Sequence, residues 1–322
     1  MEKILIISAR SYGDAIIANY LINKLSKNYD ITVFTKKEFR DMYDDMPVNV
    51  VYSRFPMGTN STINIYDLCK KIFKLRNLKF DYAIDLIGDF RERSILYAIS
   101  PRCLMSIERE CGHPFNRLIR SGLETLIDPV VIPKDIVNFY DQIDVVVRRF
   151  NYNTEVKKTL KKNNGNLIGI HPFASQKCRM WTWENWNALV RKLVTLGYEV
   201  VIFGSSNQKK DIESNVITDA MINISCGTID VFFETLKKCR CIVCLDSFAY
   251  HAAYYLNVPS VMINGGNQYQ IWKTPLSAVL HSDDICPHWP CYNKPRCKEN
   301  ICITSIDAET VFEKIKQLLT LY

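Results

Sequence analysis

The chain has 322 residues, of which 48% are apolar and 23% charged. That composition excludes a disordered or fibrous protein, and the length exceeds one typical core and suits two domains. The net charge of +7 is mild for a nucleic-acid binder, so no nucleic-acid partner is expected. A substrate carrying phosphates, or an anionic membrane surface, is enough to account for it.

The N-terminus opens on Ile4-Leu5-Ile6-Ile7, shorter than the roughly 7–15 apolar residues of a signal peptide. No segment reaches the roughly 18 uncharged apolar residues of a membrane helix. The expected compartment is the cytoplasm, with peripheral contact at the inner membrane surface. The twelve cysteines are then expected to be reduced thiols, with metal ligation where they cluster. Cys69, Cys103, Cys111, Cys178, Cys226, Cys239, Cys241 and Cys244 lie in apolar or helical surroundings and read as core fillers.

In chain order the strand candidates are Lys3–Ser8, Ile31–Phe34, Val48–Tyr52, Tyr82–Leu86 and Val130–Ile132, then Leu167–His171, Glu199–Phe203, Met221–Ile224, Cys241–Leu245 and Ser260–Ile263. Periodic segments separate them, which predicts an α/β fold of repeated βα units with parallel sheets. One helix is expected over Trp183–Leu196, with Thr182 as N-cap and Gly197 ending it; the last follows Asp307 and buries Val311, Ile315, Leu318 and Leu319. Tyr152–Asn166, with Lys157, Lys158, Lys161 and Lys162 before Asn163-Asn164-Gly165-Asn166, reads as the interdomain link. The expected domains are therefore 1–155 and 165–322.

Three strand–loop–helix junctions offer chemistry, the place where open α/β sheets hold ligands. The first runs Ser8-Ala9-Arg10-Ser11-Tyr12-Gly13-Asp14, without a Gly-rich dinucleotide or P-loop pattern. Asp14 reads either as a general base for an incoming hydroxyl or as a carboxylate complementing the helix dipole. The second runs Gly169-Ile170-His171-Pro172-Phe173-Ala174-Ser175, with Arg179 and Trp181 following. Ser175 and free amides can bind phosphate and Arg179 can neutralise a diphosphate leaving group; His171 is either part of that site or a satisfied structural residue. The third runs Cys244-Leu245-Asp246-Ser247-Phe248-Ala249-Tyr250-His251, where Asp246 and Ser247 either cap a helix or bind a ligand together with His251.

Together these stretches resemble the lipopolysaccharide heptosyltransferases, over nearly the whole chain. The family's Gly-Asp at the first helix start is Gly13-Asp14 here. Its His-Pro-Gly-Ala-Ser, then Lys-x-Trp and a second aromatic, is His171-Pro172-Phe173-Ala174-Ser175, then Arg179-Met180-Trp181 and Trp186. Its Asp-Ser/Thr-Gly-x-x-His is Asp246-Ser247-Phe248-Ala249-Tyr250-His251, and Asp81–Leu86 with Arg91, and Gly204 after its strand, match further family segments. Phe173 and Phe248 replace glycines that let backbone approach phosphate, and Arg179 replaces a lysine.

The resemblance implies a GT-B fold, two Rossmann-like lobes facing each other across a cleft. It implies acceptor binding in the first lobe, by Arg10, Arg91 and Arg93, and nucleotide-sugar binding in the second. The donor residues are His171, Ser175, Arg179, Gly204, Gly227, Thr228, Asp246, Ser247 and His251. An inverting, metal-independent transfer with Asp14 as base follows from it. The donor is ADP-heptose or another nucleotide-diphosphate sugar, and the acceptor a lipid-linked saccharide of core, O-antigen or capsule. Further cations, Arg102, Arg109, Arg117 and Arg120, serve an anionic acceptor or form a solvated basic face. A sugar-nucleotide epimerase and a degenerate, non-catalytic transferase subunit are the alternatives, the two Gly-to-Phe changes favouring the latter.

Cys286, Cys291, Cys297 and Cys302 fall within 17 positions before the last helix, with His288 among them. Four thiolates in one loop can hold Zn²⁺ or iron. The expectation is a structural metal or a set of free thiols, with no cofactor for catalysis.

Overall fold

The computed structural model describes residues 1–55, 64–86, 90–107, 127–130, 132, 136–150, 163–292 and 297–321. The chain divides into two compact units, Met1–Val156 and Lys157–Tyr322. Residues 151–162, which hold most of the expected link, lie outside the described residues, as do Cys111, Arg109, Arg117 and Arg120.

The first unit carries strands β1 (Lys3–Ser8), β2 (Asp30–Thr35), β3 (Asn49–Tyr52), β4 (Tyr82–Asp85), β5 (Cys103–Ile107) and β6 (Ile127–Val130). They form one parallel sheet in the order β3-β2-β1-β4-β5-β6. Its described α-helices are α1 (Tyr12–Leu25), α2 (Ile65–Arg76), α3 (Phe90–Ile99) and α4 (Phe139–Arg148). Leu5, Ile7, Phe34, Ala83 and Leu104 from the strands meet Leu75, Leu96 and Ile99 from the helices in one core. On α1, Tyr20 and Lys24 reach Asp144 of α4 (3.1 and 2.9 Å).

The second unit repeats the plan with β7 (Leu167–His171), β8 (Glu199–Gly204), β9 (Ile222–Cys226), β10 (Cys241–Leu245), β11 (Ser260–Ile263) and β12 (Ser277–Leu280). This sheet is also parallel, in the order β12-β11-β10-β7-β8-β9. The helices are α5 (Trp183–Thr195), α6 (Lys209–Asn215), α7 (Ile229–Leu236), α8 (Phe248–Tyr255), α9 (Ile301–Thr304) and α10 (Ala308–Leu321). Thr182 caps α5, its side chain accepting from the Asn185 amide, and Gly197 stands beyond the C-cap at φ +82°, a left-handed conformation that suits glycine. Asp307 caps α10 through the Thr310 amide at 2.7 Å.

Read outward from its first strand, each sheet follows the same 3-2-1-4-5-6 sequence of strands. The connections reverse direction between strands one and four, and that crevice at the strands' carboxyl ends is where such sheets bind ligands. It lies between β1 and β4 in the first unit and between β7 and β10 in the second.

β5 and β12 were not expected from the sequence. Cys103-Leu104-Met105-Ser106-Ile107 contains a single β-branched residue, and β12 is a half-buried edge strand of four residues. β6 starts three residues earlier than expected and includes Pro129, which an edge strand tolerates because it has no ladder bond to lose on its open side. Cys69 is exposed on α2 instead of filling the core, and Cys103 and Cys226 are half-buried; Cys178, Cys239, Cys241 and Cys244 are buried as expected.

Candidate functional site

In the first unit, Asp14 stands in the opening turn of α1. Its carboxylate accepts from the Ser11 hydroxyl (2.6 Å), whose oxygen in turn accepts from the Asp14 amide (3.2 Å). Ser11 thus caps the helix and holds the Asp14 side chain at its start, and Asp14 lines a small cavity with Ser8, Arg10, Leu86 and Glu92. Arg10 is half-buried in the loop after β1, and Arg91 is half-buried near the start of α3.

Arg93 is placed differently from the acceptor cation expected. Its guanidinium is buried against β4 and β5, where Nε donates to Asp85 (2.5 Å) and a terminal nitrogen to the Ser106 hydroxyl (2.5 Å); Ser106 also donates to Asp85 at 2.9 Å. Arg93 thus neutralises a buried carboxylate at the end of β4 and ties β4 to β5.

Two features of this unit have no signal in the sequence. Glu92 is 2% exposed beside Asp14, although a Glu between two arginines reads as a surface ion pair. A cavity of ≈ 710 Å³ also opens at the ends of β2 and β3, lined by Lys37, Glu38, Tyr52, Ser53, Arg54 and Asp67. Tyr12 donates to the Glu38 carbonyl at 2.7 Å, which joins that cavity's wall to the turn carrying Asp14.

In the second unit His171, Ser175, Arg179, Asp246 and Ser247 of the expected donor residues lie at the β7/β10 crevice. Arg179 donates to the Asp246 carbonyl (2.9 Å), to the Asp246 carboxylate (3.3 Å) and to the Ser175 hydroxyl (2.7 Å). Asn267, which sequence reasoning missed, donates to the same Asp246 carboxylate. Three enclosed polar atoms here have no hydrogen-bond partner: Nδ1 of His171, Nε of Arg179 and Oγ of Ser247. Unpaired polar atoms are costly when buried, and these three place part of that cost beside the crevice.

Burial pushes the His171 imidazole down to about 4, so at neutral pH it offers a neutral hydrogen-bonding ring. Ser247 is the N-cap residue of α8, yet its side chain makes no capping bond. Capping therefore does not explain it. His251, one turn on, is buried edge-to-face against Trp272 (5.3 Å).

The remaining expected residues do structural work. Thr228 caps α7 through the Val231 amide, and Gly227 precedes it against Val231. Gly204 is packed so closely that a Cβ would stand 2.8 Å from Ile212 and 3.3 Å from Phe173. Phe173 accordingly turns into the core, buried beside Trp183 and the end of β8. Trp181 and Trp186 are also core: they pack edge-to-face at 4.8 Å, and the Trp181 indole donates to the Ile306 carbonyl before α10.

The cysteine loop docks on Gly266, just past β11. The Cys291 amide donates to the Gly266 carbonyl at 2.9 Å and its sulfur lies over that glycine. Cys286 and Cys302 are buried, and Cys291 and Cys297 half-buried. Burial and the neighbouring Cys286, Cys291 and Cys297 push the Cys302 thiol up to about 11. The soft donor set suits Zn²⁺ or iron by chemistry. Among the described residues, however, no three His, Cys, Asp or Glu side chains stand together as a metal-holding group.

Two Rossmann-like units, one with a carboxylate and the other with an arginine at its switch point, define the class of two-lobed α/β proteins. The sequence signature of glycosyltransferase family 9 (heptosyltransferase) matches residues 70–300, and the chain belongs to that family. Its fold is that of solved GT-B heptosyltransferases. A glycosyltransferase family 9 protein from Veillonella parvula DSM 2008 superposes with a TM-score of 0.77 at 14% identity, covering 100% of this chain and 98% of that one. The E. coli ADP-heptose LPS heptosyltransferase II gives 0.68 at 18% identity, with 99% of each chain covered. The E. coli heptosyltransferase WaaC, solved with ADP-2-deoxy-2-fluoro heptose, gives 0.72 at 12% identity, covering 98% of this chain and 99% of that one. Among curated protein sequences none matches.

Proposed function

We propose that this glycosyltransferase moves a sugar from a nucleoside-diphosphate donor, ADP-heptose or a related sugar nucleotide, to a hydroxyl of a lipid-linked saccharide, with inversion at the transferred carbon. The observation that carries this reading is the β7/β10 crevice, where Arg179 meets Ser175 and Asp246 with His171 and Ser247 at the ends of the two strands. The acceptor oxygen bonds to the anomeric carbon as the bond from that carbon to the diphosphate breaks. The acceptor's proton passes to the Asp14 carboxylate, and the departing diphosphate takes its charge to Arg179 and to amide and hydroxyl donors. Arg179 supplies the positive charge that would otherwise fall to a metal, which supports the metal-independent form of the reaction. Arg10 and Arg91 are assigned to the acceptor's anionic groups.

The inward packing of Phe173 removes one of the two arguments for a degenerate subunit. Among the described residues no helix is long and apolar enough to cross a membrane. The place of action is proposed as the cytoplasm, with peripheral contact at the membrane bearing the acceptor. The cysteine loop has no step in this scheme. The ion expected there is structural, and the present arrangement of its thiols does not add to the case for it.

The test is release of nucleoside diphosphate from ADP-, GDP- and UDP-sugars in the presence of extracted lipid-linked glycans. Asp14→Asn is expected to lower turnover about 10²- to 10⁴-fold while nucleotide affinity stays within a factor of two or so. Undiminished turnover in that variant would remove Asp14 as the base.

A further inference from the structure

Residues two full turns apart on a helix share one side of it. On α2 the buried pair with that spacing is Leu68 and Leu75, which pack into the core of the first unit. Tyr66 and Phe73 stand two residues before them, about 200° away round the helix, and so occupy the side turned from the core. Tyr66 is 80% exposed and Phe73 68%. Ile65, 65% exposed, and the exposed Cys69 widen the apolar strip on one flank. The last long helix of the chain is built otherwise. Before its final residue, the exposed positions of α10 are Glu309, Thr310, Lys316, Gln317 and Thr320, all polar.

The same helix is basic. Lys70 lies between the two rings, Lys74 and Arg76 are exposed beside them, Lys71 is half-buried, and Lys79 is exposed in the turn that follows. Against these five cations, residues 65–79 hold a single carboxylate. It belongs to Asp67, which is engaged at 2.9 Å by the Ser53 hydroxyl. A continuous apolar strip on a surface marks an interaction site, and the charge beside it selects the partner. Two copies of this chain meeting through α2 would bring like charges together. A bilayer with anionic headgroups brings opposite charge to the lysines and an apolar interior to the rings.

We propose that the outward face of α2, with Tyr66 and Phe73 at its centre and Lys70 and Lys74 beside them, is the surface by which the protein docks on an anionic lipid bilayer. The proposal rests on the reading of the acceptor as lipid-linked, and it gives the membrane contact of that reading a place on the molecule. The rings settle at headgroup level, while the lysine stems lie along the apolar strip and their ammonium groups reach the lipid phosphates. The position of α2 suits the task. It follows β3, so its first turn stands at the carboxyl ends of the first sheet's strands. There Asp67 lines the cavity of ≈ 710 Å³ with Ser53 and Arg54, whose wall Tyr12 joins to the turn carrying Asp14. A bilayer held at this helix therefore lies on the side of the unit where the acceptor's hydroxyl is used.

The experiment is flotation of the full chain with vesicles of mixed phosphatidylglycerol and phosphatidylcholine, and with vesicles of phosphatidylcholine alone. Wild-type protein is expected to float with the mixed vesicles, far less with the neutral ones, and to be released as salt rises. Tyr66→Ser with Phe73→Ser, and separately Lys70→Glu with Lys74→Glu, should each weaken that binding about 10-fold or more. All four side chains are exposed, so far-ultraviolet circular dichroism and melting curves should stay those of the wild type. Flotation undiminished in either double variant would overturn α2 as the docking surface and leave the membrane contact to another part of the chain. Wild-type protein that floats with neither vesicle would remove that contact and the surface together. Dimerisation of the wild type that the Tyr66 and Phe73 changes abolish, with vesicle binding intact, would assign the strip to a second copy and overturn the proposal.

Discussion

The Arg93 guanidinium and the Asp85 carboxylate lie 2.5 Å apart with almost no solvent access. Each ion is tolerable there only because the other is present. Arg93→Met removes the cation paired with a buried carboxylate, and is expected to lower stability by about 3–5 kcal/mol; a denaturant midpoint shift worth less than about 1 kcal/mol would contradict the pairing. His171 makes a separate prediction. Its folded value of about 4 lies below the ordinary value near 6.5. As pH falls the unfolded chain therefore takes up the proton first. Stability should decline between about pH 6.5 and 4, by about 3 kcal/mol at most, and level off below. In His171→Asn that part of the slope should vanish, and a slope unchanged in chemical-denaturation curves would show that another group is responsible.

At the scale of elements, close approach decides which positions must stay small. A Cβ on Gly169, in the middle of β7, would stand 2.9 Å from the Phe203 ring and 3.2 Å from Ile242. Gly169→Ala should cost about 1–3 kcal/mol through overpacking. Phe203→Leu in the same chain should recover part of that loss, so additive melting shifts for the pair would refute the contact. The elements themselves were largely legible in the sequence, because β1, β7, β10 and β11 are mostly buried and mostly apolar runs. β5 escaped because cysteine, leucine and methionine carry little strand preference, and β6 was misplaced because Pro129 reads as a breaker unless the strand is known to be an edge. In the site, Asp14, Arg179 and Asp246 could be picked out from their strand–loop–helix junctions. The union of Arg179 with Asp246 could not, since 67 residues separate them. Nor could the burial of Arg93, which depends on a strand that the sequence concealed.

At the scale of the whole molecule, one topology is used twice without a visible sequence repeat. Each sheet places its chemistry at the crevice between its first and fourth strands. The first unit holds Asp14 and Glu92 beside Arg10 there; the second holds Arg179 paired with Asp246, enclosed polar atoms and a half-open group of rings. This division assigns the donor to the second unit alone, and hydrogen–deuterium exchange with and without saturating ADP, GDP, UDP or CDP tests it most directly. With the nucleotide that binds, the account predicts slower exchange in the loops after β7 and β10, residues 171–179 and 246–251, and little change at residues 8–14. Protection confined to residues 8–14, or absent from both second-unit loops while the nucleotide is bound, would contradict it.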